Sequence, residues 1–225
     1  GLALLAAAGS ASAQEVVKIG HVGPTSGGIA HLGKDNEMGA RMAIDYHHLK
    51  NRPFAPVHQH YQARDSMLYA LSLGLGNDPL DAAALPFVYE GMEGGLRALP
   101  TLAVVLGYPG FWARESDTGI DWVKLLHGEQ RVRWHQPLPA DCEVVGKSRV
   151  THLTDKGEGK GAIMITERRV ETAAGALLAT MQQVTFLRGD GGYSQRAGQA
   201  SDEPLPPLKH TPEGTQIAVQ IGRAH

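Results

Sequence analysis

In LLHGEQ, residues 125–130, an imidazole and a carboxylate stand two positions apart. Residues i and i+2 share a face on an extended strand, so His127 and Glu129 have the types and spacing of an acid–base pair. His47, His48, His58 and His60 form a second polar cluster. HQH is weak as a metal site without a third ligand at a suitable spacing, so these histidines are expected to face solvent and no metal is assigned. The single cysteine, Cys142, excludes an intrachain disulfide and makes no zinc site by itself. A small buried apolar side chain is its plainer role. The Gly23–Gly28 stretch GPTSGG has neither the Lys-Ser/Thr of a P-loop nor the spacing of a dinucleotide fingerprint, and it reads as a strand-to-helix turn.

The chain that carries these groups has 225 residues, 42% hydrophobic and 20% charged, enough for one ample core or two small ones. A net charge of -2 supplies no global field for nucleic acid, so polyanion binding is disfavoured and no nucleic-acid partner is expected. Residues 1–13, GLALLAAAGSASA, have the apolar run and small-residue end of a secretory signal, with Gln14 as the mature start. No positive leader or initiating Met precedes them, so a truncated signal peptide is expected; the run is too short to span a bilayer as a helix. At the other end SDEPLPPLKHTPE, residues 201–213, is a Pro-rich connector. The final IGRAH looks like a translated adapter, so residues 196–225 are read as a linker and truncated tail.

Between these ends the pattern places helices first and strands later, the order of an α+β layer. Asp65 is the expected N-cap of SMLYALSLG, with Met67, Leu68 and Leu71 on one apolar face and Gly74 or Gly76 ending the helix in a left-handed conformation. Pro100 suits the first turn of PTLAVVL, a second helix apolar nearly all round and so expected to be buried, with Gly107 at its end. In EQRVRWHQ, Val132 and Trp134 alternate with Arg131, Arg133 and His135, which predicts one buried and one wet face. CEVVGKSRVTHLT, GAIMITERRVET and ALLATMQQVTFLR read as antiparallel strands joined by DKGEGKG and TAAG turns.

Two resemblances meet at Met42. VVKIGHVGPTSGGIAHLGKDNEMGARMAID resembles the start of periplasmic branched-chain amino-acid-binding proteins, and the similarity ends near residue 45. From Met42 to about residue 195, RDSMLYALSLGLG, LPFVYEG, LPTLAVVLG, LLHGEQRV, PLPA, DKGEGKGA and FLRGDGGY follow the order and near-spacing of the N-terminal half of hydratase 2 proteins. That group comprises the MaoC-like, R-specific enoyl-CoA hydratases, including the hydratase segment of peroxisomal multifunctional enzyme type 2. The expected division is therefore 1–13 signal remnant, 14–41 binding-protein fragment, 42–195 hydratase-like domain and 196–225 tail, a fusion of unrelated sequences. The resemblance implies a hot-dog fold, an antiparallel sheet wrapped around a central helix, forming one half of a double hot dog. Periodicity alone would not have chosen it.

Hydrating an enoyl thioester needs a base for water, an acid for the α-carbon and donors for the thioester oxygen. In the resembled family an Asp and a His five positions later, in a G-D-x-N-P-L-H segment of the second half, supply the first two. The 225 residues contain no such segment. GNDPLD, Gly76–Asp81, echoes it without the His and reads as a turn. Two residues align with positions tied to activity: Glu90 in VYEG, either orienting the active loop or capping a local turn, and Tyr69 in LYALSLG, either presenting its hydroxyl or packing in the core. His127 and Glu129 are not the family's dyad, which favours a structural role. Arg131, Arg133, Lys147, Arg149, Arg168 and Arg169 offer cations to CoA phosphates, but charges on the wet face of a sheet are usually only solvated, and none is assigned to CoA.

Phe87, Leu99 and Leu102 are expected to line an apolar tunnel for the acyl tail, with core packing as the alternative. The implied function is the substrate-binding half of a trans-2-enoyl-CoA hydratase giving (R)-3-hydroxyacyl-CoA, without its catalytic pair and with no cofactor. Its partners would be an acyl-CoA thioester and a second hot-dog half or homodimer mate, with no membrane, in the cytoplasm. A non-catalytic acyl-thioester-binding or assembly module is the alternative, and a periplasmic amino-acid receptor the third.

Overall fold

The computed structural model describes residues 43–78, 80–206 and, for the backbone alone, 217–220. All belong to the unit that begins at Met42. The expected signal remnant and binding-protein fragment, residues 1–41, lie outside the described residues, as do Pro79 of the GNDPLD turn and most of the expected tail beyond residue 206.

The chain runs through a short helix α1 (Tyr46–Lys50), strand β1 (Val57–Tyr61), helix α2 (Ala63–Ser72) and a single turn α3 (Leu85–Val88). Four 3-10 turns follow, at Pro100–Val104, Trp112–Arg114, Ser116–Thr118 and Trp122–Lys124. Then come the long strands β2 (Leu125–Trp134), β3 (Cys142–Asp155), β4 (Ala162–Thr172) and β5 (Leu177–Leu187), and lastly β6 (Ile217–Gln220). All pairings are antiparallel, in the order β1-β3-β4-β5-β2-β6. The four long strands fall where alternation and Gly-containing turns predict them. The edge strand β1 was not anticipated: HQHY is polar and five residues long, and only its period-two burial reveals it, with His58 and His60 exposed and Tyr61 buried.

Two helical expectations need correction. α2 begins earlier than expected, with Gln62 as N-cap, and Asp65 sits three residues inside, where its carboxylate accepts from Gln62 N at 2.8 Å. Its end follows expectation: Gly74 takes φ +90, Gly74 N donates to Leu71 O at 2.9 Å and Leu75 N to Ala70 O at 3.1 Å, a Schellman closure. Yet the face turned to the core is Ser66 and Ala70, while Leu68 and Leu71 are 61% and 48% exposed. Small residues let the helix lie close to the chain, and Ser66 Oγ donates to Ala140 O at 2.7 Å. The second correction concerns PTLAVVL, which forms only the 3-10 turn Pro100–Val104. Leu102, Ala103 and Leu106 are buried but Val105 is half exposed, so the segment covers the sheet on one side rather than lying inside it.

The sheet's inner face carries two hydrophobic clusters. In the first, Val144, Val170, Leu178, Ala179 and Met181 meet Tyr61, Ala98, Leu102, Ala103, Leu106 and Leu138. In the second, Val150, Leu153, Ala162, Met164 and Leu187 meet Ile44, Leu49, Ala113, Ile120 and Tyr193. Bulges between His127 and Glu129, Val150 and His152, and Val170 and Glu171 shift the register along the way. Bulges bend a strand and increase its twist. The outer face carries ion pairs: Arg149 with Glu167 at 2.6 Å, Lys147 with Glu171 at 2.6 Å and Arg169 with Glu171 at 3.2 Å. These cations are the solvated outer-face groups that the alternation predicts.

Candidate functional site

Period-two alternation puts Ala162, Met164, Thr166, Arg168 and Val170 of β4 on the inner face. Their partners on β5 are Leu187, Thr185, Gln183, Met181 and Ala179, in that order. Gln130 pairs with Gln183 from β2, and Ser148 with Arg168 from β3. A polar row, Gln130, Gln183, Thr166, Arg168 and Ser148, thus crosses the sheet between the two clusters. A recess opens above it, walled by Tyr108, Phe111 and Trp112 from the loop that follows Gly107 and floored by this row with Met164, Met181 and Thr185.

Arg168 is the unexpected residue. Its charge suggests a place among the outer-face cations, but the alternation that exposes Arg169 turns Arg168 inward, where it is 8% exposed. Its Nη2 donates to Val104 O, its Cζ lies 5.3 Å from the centre of the Tyr108 ring, and its buried Nε has no partner. Burial pulls the guanidinium down from its ordinary value, opposed by Tyr108, but an arginine so high on the scale keeps its charge. Among the described residues no carboxylate stands within ion-pair distance of it. The signal was present in the sequence: Arg168 shares a parity with Met164 and Val170, and Arg169 does not.

The predicted acid–base pair is not assembled. The bulge at Gly128 sets His127 opposite Thr185 and Glu129 opposite Val184, consecutive β5 residues that face opposite sides, so i and i+2 no longer share a face. Glu129 instead pairs with Arg131 at 2.8 Å, and desolvation holds the His127 imidazole below its ordinary value. In the GNDPLD turn, Asp78 Oδ1 accepts from Leu80 N and Asp81 Oδ1 from Ala83 N, both at 2.9 Å, which is turn chemistry.

Glu90 lies exposed in the turn after α3, and the half-buried Tyr69 packs against the first cluster. Phe87 is half-buried with Arg97 Cζ 5.6 Å from its ring centre, Leu99 is half-buried, and Leu102 is buried in the first cluster. None of these five residues borders the recess. His58 is exposed on β1, His60 meets Asp141 at 3.0 Å and His48 meets Asp117 at 3.3 Å. Among the described residues no group of three or more His, Cys, Asp or Glu is arranged to hold a metal ion. Cys142 is half-buried, and burial first, then Asp141 and Glu143, push its thiol up.

Two carboxylates frame the second cluster. Asp155 Oδ1 accepts from Gly157 N and Gly192 N and Oδ2 from Ser194 N and Oγ, at 2.6 to 2.8 Å. Desolvation opposes these bonds, but together they hold its carboxyl below the ordinary value. Asp190, which accepts from Asp121 N at 3.1 and 3.2 Å, is pushed up to about 6 by burial.

An antiparallel sheet whose inner face is covered by short helical segments is a hot-dog fold of the α+β class. The chain belongs to the family described as MFE-2 hydratase 2 N-terminal domain, whose model matches residues 59–189. It is 35% identical over 149 residues to 3-hydroxyacyl-thioester dehydratase Y of Mycobacterium tuberculosis, covering 65% of this chain and 49% of that protein. To the peroxisomal enoyl-CoA hydratase 2 of Arabidopsis thaliana it is 34% identical over 173 residues, covering 72% of this chain and 51% of that protein. A MaoC-like dehydratase from Phytophthora capsici superposes with a TM-score of 0.58 at 26% identity, covering 76% of this chain and 57% of that one. The chain thus spans about half the length of the curated relatives it matches.

Proposed function

We propose that this chain is the substrate-binding half of a trans-2-enoyl-thioester hydratase that forms (R)-3-hydroxyacyl thioesters, and that a second hot-dog half supplies the acid and base. The observation that carries this reading is the match of an N-terminal hydratase 2 domain to residues 59–189. Two further observations fit it. The 225 residues contain no G-D-x-N-P-L-H segment, and the bulge at Gly128 separates the His127 and Glu129 side chains, whose spacing on a strand would have suited a dyad. In this reading the inner face, where a recess already lies open, shelters the acyl chain while Glu90 and Tyr69 help to position groups of the active loop.

The test is hydration of a medium-chain trans-2-enoyl-CoA, followed by loss of its conjugated absorbance, with this chain alone and with a second half bearing the G-D-x-N-P-L-H segment added or fused. Loss of a general acid or base costs about a hundred- to ten-thousand-fold, so turnover is expected only in the reconstituted protein. Clear turnover by the chain alone would overturn the assignment of chemistry to the second half. Saturated acyl-CoA that binds while no second half restores turnover would favour a non-catalytic thioester-binding module, for which the missing acid–base pair is the supporting observation.

A further inference from the structure

A buried cation without a countercharge is expensive, and an arginine in that position is expected to be paired or hydrogen-bonded on most of its donors. Among the described residues Arg168 is neither: it is 8% exposed, makes one hydrogen bond, to Val104 O, faces the Tyr108 ring, and keeps a buried Nε without a partner. Among the described residues no carboxylate lines the recess it borders. Around it lie further groups that can donate to an anion: the side-chain amides of Gln130 and Gln183 and the hydroxyls of Ser148 and Thr166. Apart from the hydroxyls of Tyr108 and Thr185, the rest of the lining is apolar or polarisable, chiefly Met164, Met181, Phe111 and Trp112.

Such a lining is mismatched to a plain hydrocarbon, which would leave the polar row desolvated and unpaired, and to a bare inorganic anion, which would leave the methionines and aromatics unused. It fits a ligand with an apolar stem and an anionic planar end. From this we infer that the recess binds the far end of a carboxylate-terminated acyl chain, with the guanidinium of Arg168 and the amide of Gln183 meeting the carboxylate. The inference rests on the function proposed above, because the reacting carbons would lie toward the second half and only the distal end of a chain would reach this floor. The protein would then be selective for thioesters of dicarboxylic acids over those of simple fatty acids.

The first test needs no CoA. Monomethyl decanedioate and its uncharged dimethyl ester are titrated into the full chain, with binding read by calorimetry and by amide NMR shifts of Thr166, Arg168 and Gln183. A charge-assisted contact is expected to favour the monoacid by about ten-fold or more, and Arg168→Gln to abolish that preference. Arg168 also braces Val104, so Gln183→Leu serves as a second variant; it should cut the preference by about three-fold without loss of the native NMR spectrum. Equal binding of the two esters, no binding of either, or a preference unchanged in the folded variants would overturn the inference. A second titration compares decanoyl-CoA with 9-carboxynonanoyl-CoA. If neither thioester binds while the monoacid does, the acyl-thioester reading fails and the carboxylate site stands.

Discussion

Gly146, on β3, lies directly against Gly107, the residue that closes the loop segment after Pro100–Val104. A Cβ built on either would stand 2.6 Å from the other's Cα, closer than real Cβ atoms come to backbone. Gly107 also has φ +58 and donates its N–H to Gln59 Oε1 at 2.8 Å, so the loop is tied to β1 as it presses on β3. This contact sets where the chain leaves the first cluster and begins the wall of the recess.

Gly146→Ala should therefore destabilise the domain, because its methyl would press on the carbonyl oxygen and Cα of Gly107. Overpacking of this kind costs about 1–3 kcal/mol, equivalent to a fall in Tm of roughly 2–12 °C for a domain of this size. Thermal unfolding followed by circular dichroism checks it, and an unchanged Tm would show that the two backbones do not meet.

Asp190 predicts a pH dependence with a definite sign. Burial pushes its carboxyl up to about 6, above the value of roughly 3.9 in an unfolded chain, so the folded state holds the proton more tightly. That stabilisation is complete below about pH 4, declines as pH rises, and is gone above about pH 6. Asp190→Asn keeps an acceptor for Asp121 N and removes the titration. Relative to wild type, the Asn variant should gain of order 1–3 kcal/mol between pH 4 and 7 in urea unfolding. A difference that stays flat across this window would refute the assignment.

Leu68 and Leu71 on α2 and Leu73 at its C-cap lie 61%, 48% and 55% exposed. Exposed apolar residues grouped in this way promote association. Leu68→Glu with Leu71→Glu should lower the mass seen by light scattering while changing stability by no more than about 0.5 kcal/mol. If the double variant associates as wild type does, these leucines are not the cause.

Glu90, exposed in the turn after α3, is proposed to orient the active loop rather than to bind substrate. In the reconstituted hydratase, Glu90→Ala should lower kcat with KM nearly unchanged, and Glu90→Gln should recover part of the loss. A rise in KM alone would instead make Glu90 a binding group.

What the sequence showed and what it concealed follow one physical line. Strands β3, β4 and β5 were legible because each is eleven residues or more of alternating type bounded by Gly-containing turns. β1 was not, because a short polar edge strand has no alternation that a loop lacks. The bulge at Gly128 reversed the geometry assumed for His127 and Glu129, and a bulge leaves no mark in period-two counting. On α2, helical spacing grouped Met67, Leu68 and Leu71 correctly, but tertiary packing chose the small face of Ser66 and Ala70. At Arg168 two signals conflict: its parity with apolar neighbours points inward and its charge points to the wet face, and packing follows the parity.

The polar row also divides labour along the sheet. β3, β4 and β5 run through both clusters, but the residues that meet them differ: Tyr61, Ala98, Leu102, Ala103, Leu106 and Leu138 in one, and Ile44, Leu49, Ala113, Ile120 and Tyr193 in the other. Each cover can therefore be substituted, lengthened or reshaped with little echo in its counterpart, since no side chain of one belongs to the other's cluster. Evolution and the protein engineer can treat the two ends of this half as separate dials, one set by the segment around Leu102 and Leu106 and the other by the segments around Leu49, Ile120 and Tyr193.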